Sequence, residues 1–164
     1  MSSLAPQLIA ENKRTRDTFL DLGNCGLSKV PAEVGDLVWL ESLSLASEWF
    51  EKDGQTWQQK RSRNDGNKNE RLLDIGSLSR LTRLRSLIVE EVVDLTSLAN
   101  LSALQSLAVS RTQVSDLSVL TPLISRGCPV RWSSEVWRGP GIYVEDCPLT
   151  TPPPEIVQQE RRHP

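Results

Sequence analysis

The sequence predicts an α/β solenoid, with a short, curved parallel sheet on its concave side and helical or 3-10 segments on its convex side. Three observations carry this. In "LTSLANLSALQSLAVSRTQVSDL" leucine recurs every third residue, at Leu95, Leu98, Leu101, Leu104 and Leu107. The same strand-and-turn pattern returns along the chain: Val89 and Val109 stand 20 apart, Leu22 and Leu45 stand 23 apart. Leucine dominates the apolar set while aromatic residues make up only 5%, as expected when one side-chain slot is stacked many times over.

The spacing of three fits neither regular element over its whole length. On an α-helix three residues turn about 300°, so the leucine stripe drifts around the cylinder. On a strand the faces alternate with period two. The run makes sense if Leu98, Leu101 and Leu104 lie on a helical or 3-10 segment and Leu107 and Val109 on a strand. Such a unit buries its apolar side only when similar units stack on it. Neighbours follow L-x-L-x-x-(N/C)-x-L: Leu20, Leu22, Cys25 and Leu27 in "LDLGNCGL"; Leu43 and Leu45 in "LESLSLAS"; Leu87 and Val89 in "RSLIVEE"; Ile142, Val144, Cys147 and Leu149 in "IYVEDCPL". A period of 20 to 29 with this pattern is that of a leucine-rich repeat solenoid.

Taken in order, residues 1–18 are expected to form an N-terminal helical cap, with Leu4, Leu8 and Ile9 on its apolar side and basic residues near its C-terminal end. Residues 19–159 form the repeat domain and 160–164 a tail. A polar insertion at 48–71 interrupts the register and contains no leucine, isoleucine or valine. Insertions of this kind fall on one face of a solenoid, often the binding face. Trp49 and Phe50 are expected to pack at its root, with 60–70 as a mobile tip. The regular stack resumes at Leu78, weakens at Val130–Val136 and closes with 139–160, within which Pro152–Pro154 end the repeat. A last helix could start at "PPEIVQQERR".

The 164 residues carry a net charge of −2, which gives no global attraction to nucleic acid or anionic membrane. No apolar run has the length of a membrane span, and "MSSLAPQLIAENKRTR" has no apolar core ahead of a cleavage site, so the cytoplasm is the expected location. Cys25 and Cys147 occupy the same turn position of distant repeats, where a thiol can serve backbone carbonyls. Cys128 stands apart in "RGCPVRW", and no metal or redox spacing accompanies the three cysteines. The one histidine, His163, is next to last, and Glu90 beside Glu91 would point to opposite faces of a strand. No catalytic residues, cofactor or metal are expected, and no phosphate-cradling G-x-x-x-x-G-K-[ST] occurs.

"GIYVEDCPLTTPPPEIV" resembles the junction that ends the leucine-rich repeats of bacterial Roco proteins, and "LDLGNCGLSKVPAEVGDL" and "NLSALQSLAVSRTQVSDLSVL" resemble such repeats. The resemblance spans 19–159. It implies a regulatory or adaptor module working beside a Roc-type GTPase. After Gln159 the family pattern continues with glycine and a helix leading into the GTPase, whereas here Glu160 and "RRHP" follow, so GTP hydrolysis is carried to no residue.

A surface for a protein partner remains. Its candidate contacts are Tyr143 as anchor, with Ile88, Glu90, Ser110 and Ser44 along the concave face and Trp57 in the insertion. A second reading has the insertion bind nucleic acid, with Trp49, Phe50 and Trp57 stacking bases between Lys52, Lys60, Arg61, Arg63 and Lys68. A third is an isolated structural remnant that self-associates through its ends.

Overall fold

The computed structural model describes residues 3–53, 55–109, 112–131, 141–144 and 147. The spacing of three has a direct cause. Each apolar residue of a run donates its backbone N–H to the carbonyl three residues earlier: Leu78 to Ile75, Leu81 to Leu78 and Leu84 to Leu81, each at 3.0 Å, then Leu98 to Leu95, Leu101 to Leu98 and Leu104 to Leu101 at 2.9 to 3.2 Å. These are successive 3-10 turns, at three residues per turn, so every third side chain points the same way. The chain then extends into a strand, and Leu87 or Leu107 supplies the next rung.

Among the described residues six strands form one parallel sheet. Helix α1 (Leu4–Thr15) precedes β1 (Phe19–Asp21), and β2 (Ser42–Ser44) follows. A hairpin of β3 (Glu48–Asp53) and β4 (Thr56–Arg61) comes next, then β5 (Ser86–Ile88), β6 (Ser106–Ala108), helix α2 (Thr121–Ser125), β7 (Val130–Arg131) and β8 (Gly141–Tyr143). The register is constant. Leu20, Leu43, Leu87, Leu107, Ile142 and Val130 share one rung across the sheet, all 7% exposed or less. Above it a further backbone ladder runs from Leu22 N–H to the Ser44 carbonyl, Leu45 to Ile88, Val89 to Ala108 and Val109 to Tyr143, at 2.8 to 3.0 Å. With Leu22, Leu45, Val89, Val109 and Val144, all 2% exposed or less, this makes a second apolar rung. A parallel sheet with few helices and stacked leucine rungs agrees with the leucine-rich pattern.

Aspartates start three of the described 3-10 segments. The carboxylates of Asp74, Asp94 and Asp116 each accept the backbone N–H two residues on, from Gly76, Thr96 and Ser118, all at 2.8 Å. These Asx turns satisfy donors that have no partner inside the helix.

Helix α1 covers the first edge. Ala5 and Ile9 are buried against the core. Asn12, 4% exposed, donates to the carbonyls of Asp17 and Phe19 and accepts from Trp39 Nε1 at 2.9 Å. The Arg16 guanidinium lies 4.1 Å from the centre of the Trp39 ring.

The far end departs from chain order. The strand order is β1-β2-β5-β6-β8-β7. The strand at Val130 therefore does not follow β6 as the next repeat. β8 is hydrogen-bonded between the two, through Gly141 N–H to the Gln105 carbonyl and Ile142 N–H to the Pro129 carbonyl. The remainder of the weak repeat at 132–136, the closing prolines 152–154 and the expected C-terminal helix lie outside the described residues.

Candidate interaction surface

The insertion is an antiparallel ribbon whose return path is part of the solenoid. β3 pairs with β4 in the register Glu48–Arg61, Trp49–Lys60, Phe50–Gln59, Glu51–Gln58, Lys52–Trp57 and Asp53–Thr56. At its root Ser62 donates its N–H to the Ser47 carbonyl at 2.8 Å, Arg61 Nε lies 3.2 Å from Glu48 Oε1, and Gln59 Nε2 donates to Glu48 Oε2 at 2.7 Å.

The mobile tip expected at 60–70 is not formed: Lys60 and Arg61 end β4, and residues 62–70 continue from it. They fold back along the first repeat. Ser62 Oγ donates to Asp21 Oδ2 at 2.8 Å, and Asn64 Nδ2 donates to the carbonyls of Gly23 and Asp21 at 2.8 and 3.1 Å. The chain packs so closely here that a Cβ on Gly23 would sit 2.1 Å from the Ala46 carbonyl oxygen.

Asn69 is the centre of this arrangement. Its Oδ1 accepts from the N–H groups of Cys25 and Leu27 at 3.2 and 2.9 Å, and its Nδ2 donates to the carbonyls of Leu22 and Leu45 at 2.9 and 2.7 Å. One side chain thus joins two coils. It occupies the asparagine position of the second repeat, separated from Leu45 by the whole ribbon. The stack therefore resumes at Asn69 and the buried Leu72 and Ile75, ahead of Leu78. The signal was in "NERLLDIGSL", where an asparagine precedes apolar residues at steps of three.

Cysteine and threonine fill the equivalent turns. The Cys25 thiol donates to the Gly23 carbonyl at 3.5 Å. Burial, and then the negative charge of Asp21, push its pKa up to about 11. The Cys147 thiol donates to the Val109 carbonyl at 3.0 Å and contacts the hydroxyl of the buried Thr112. No two cysteines are joined in a disulfide.

The expected concave contacts fare unevenly. Asp21, Ser44, Ile88, Ala108 and Tyr143 line up on the face opposite the leucine rung, as the alternation requires. Yet Tyr143 is 2%, Ile88 7% and Ser44 0% exposed. Ala46, Ile88, Ala108 and Tyr143 form a second apolar cluster there. Tyr143 is thus packed instead of projecting as an open anchor, and Ile88 and Ser44 are not accessible contacts. Their alternation gave the face correctly; it could not give what packs on it. The next row of that face, Ser42, Ser86 and Ser106, is half-buried, and so is Glu90. Glu90 and Glu91 are not on a strand, because β5 ends at Ile88 and Glu91 adopts a left-handed φ of 55°. Ser110 lies outside the described residues, as do the side chain of Trp57, Trp132, Trp137 and His163.

Among the described residues no group of three or more His, Cys, Asp or Glu could hold a metal ion, and no helix is long and apolar enough to cross a membrane.

Neither a protein-family model nor a curated protein matches the chain. Solved structures do. One is an internalin from Listeria monocytogenes, 24% identical, with a TM-score of 0.45, over 75% of this chain and 35% of that one. The chain thus spans about a third of the internalin's length, and a likeness of this degree says nothing of partners.

Proposed function

We propose that the chain is a non-enzymatic, protein-binding leucine-rich module whose contact is the 48–61 ribbon. The observation behind this is that the ribbon leaves the coil and returns to it at one hydrogen-bonded root. The Ser47–Ser62 hydrogen bond closes its root, and Ser62, Asn64 and Asn69 supply the bonds that the first two repeats need. A six-rung ribbon retained beyond that point offers two strand edges and three aromatic residues, Trp49, Phe50 and Trp57. Aromatic groups are favoured at the centres of protein interfaces. Three acidic residues, Glu48, Glu51 and Asp53, balance three basic ones, Lys52, Lys60 and Arg61. Arg61 is moreover paired with Glu48. This balance favours a protein over a nucleic acid, whose phosphates demand uncompensated cations. A Roc-type GTPase is the partner class that the resemblance at 141–159 suggests.

The test is a crosslinked pull-down with the intact chain and with a variant in which an Asn-Gly turn replaces 49–60. That deletion spares Ser62, Asn64 and Asn69. A protein captured by the intact chain and lost with the ribbon, at unchanged melting temperature, supports the reading. Recovery of a GTPase of the Roc type would add the regulatory role. Identical captures by both forms would remove the ribbon from the interface. A steep log-log loss of binding with salt would point to phosphate contacts instead.

A further inference from the structure

A surface cavity of about 380 Å³ opens where the turn after α2 meets the strand-entry ends of β5 and β6. Its walls include Arg85, Arg126, Ser102 and Gln105, with Leu104 and Leu123 among its apolar lining. The two arginines are brought together by different elements. Arg85 precedes β5, and its carbonyl accepts both Gln105 N–H and Ser106 N–H at 2.8 and 3.0 Å, which fixes the rungs on which Arg85 and Gln105 stand side by side. Arg126 follows α2, with its N–H bonded to the Leu123 carbonyl and Gly127 turning the chain away at a φ of 90°.

Neither guanidinium has a carboxylate partner among the described residues. The ion pairs of the surface engage Lys13, Arg14, Arg61 and Arg80. Arg126 makes one long hydrogen bond, Nη2 to the Leu101 carbonyl at 3.5 Å. Glu41 is the rung neighbour of Arg85 on the side away from the cavity: the Arg85 N–H bonds its carbonyl at 2.7 Å, and its side chain forms none of these ion pairs. Two guanidinium groups with donors to spare, with a hydroxyl and an amide beside them, give what a small oxyanion needs: positive charge and several hydrogen-bond donors around one cavity. The volume lies in the range of small-ligand sites.

We propose that this cavity binds a small oxyanion, a phosphate or carboxylate group, between Arg85 and Arg126. The site is independent of the ribbon and of the protein-binding reading.

The experiment titrates the full chain with inorganic phosphate and, separately, with acetate, at ionic strength held constant with sodium chloride. Binding is followed through the backbone amide resonances. Saturable shifts confined to residues 85, 102–105 and 126–128 are expected for at least one anion. Arg85→Gln and Arg126→Gln should each weaken binding at least fivefold, whereas Arg83→Gln, an exposed arginine outside the cavity, should leave it unchanged. Both side chains are exposed, and an unchanged circular dichroism spectrum confirms that each variant folds. Saturation by phosphate alone, by acetate alone, or by both in competition assigns the ligand to phosphate esters, carboxylates or either. Shifts that do not saturate, or that fall equally with Arg83→Gln, overturn the proposal, as does full binding by Arg85→Gln or Arg126→Gln.

Discussion

Replacing Asn69 with alanine removes four hydrogen bonds at once. Two backbone donors, on Cys25 and Leu27, and two backbone acceptors, on Leu22 and Leu45, lose their partner. Leu22, Leu45 and Cys25 are at most 2% exposed, so most of these groups have no ready route to water. Each buried polar group left unpaired costs about 1–3 kcal/mol. Asn69 itself is half-buried, and water entering the vacated space would relieve part of the loss. Taking about 1 kcal/mol for each of the four gives a destabilisation of about 4 kcal/mol. That is a large share of the roughly 5–15 kcal/mol that holds a domain folded. At about 2–4 °C per kcal/mol for a chain of this size, the melting temperature should fall by about 8–16 °C. Urea unfolding of the two proteins, followed by circular dichroism and fitted with a common slope, measures the difference directly. Asn64→Ala is the companion variant. It spares the four buried groups and should cost less than half as much. A loss below about 1 kcal/mol for Asn69→Ala would refute the view that this side chain joins the first two coils.

Gly23→Ala should also be severe, because the new Cβ would meet the Ala46 carbonyl oxygen at 2.1 Å. Gly26→Ala meets nothing within 4 Å but must hold a φ of 65°, so about 1–2 kcal/mol is expected, and equal urea midpoints for the two variants would contradict the packing described. Hydrogen bonds from Thr96 and Ser118 hold the carboxyls of Asp94 and Asp116 below the ordinary aspartate value. A lowered folded pKa contributes stability above the unfolded value, near 3.9, and loses it as pH falls through the folded one. The drop in urea midpoint between pH 6 and pH 2.5 should therefore shrink in the Asp94→Asn, Asp116→Asn double variant, and an undiminished drop would exclude these turns as its source. With its pKa near 11 and 1% exposure, Cys25 should resist iodoacetamide at pH 7.5 while the half-buried Cys128 reacts. Peptide mass spectrometry of the briefly treated protein gives the order, and alkylation of Cys25 first would show that the turn opens readily.

What could be read from the chain was whatever repeats locally. The step of three in Leu95–Leu107 is a covalent-distance property of 3-10 turns, and the L-x-L pairs set which side of the sheet is buried. Pairing between distant segments leaves no such trace. Asn69 acts 24 residues beyond Leu45, so the intervening ribbon hid its place in the second repeat. The position of β8 between β6 and β7 depends on which strand wins the open edge, and periodicity is silent on that. Tyr143 was placed on the correct face by alternation, but its burial depends on neighbours that alternation does not specify. The aspartates at 74, 94 and 116 were legible in hindsight as D-x-(G/T/S) ahead of each 3-10 run.

The inverted strand order at the far end bears on how the chain is made. A repeat array can grow coil by coil as it leaves the ribosome, each new strand finding the last one already in place. That works here from β1 through β6. Then Val130 and Arg131 emerge beside an edge of β6 that in the finished sheet belongs to Gly141–Tyr143, ten positions behind them. The native order at that end can be completed only once Gly141–Tyr143 has arrived to lie between β6 and β7.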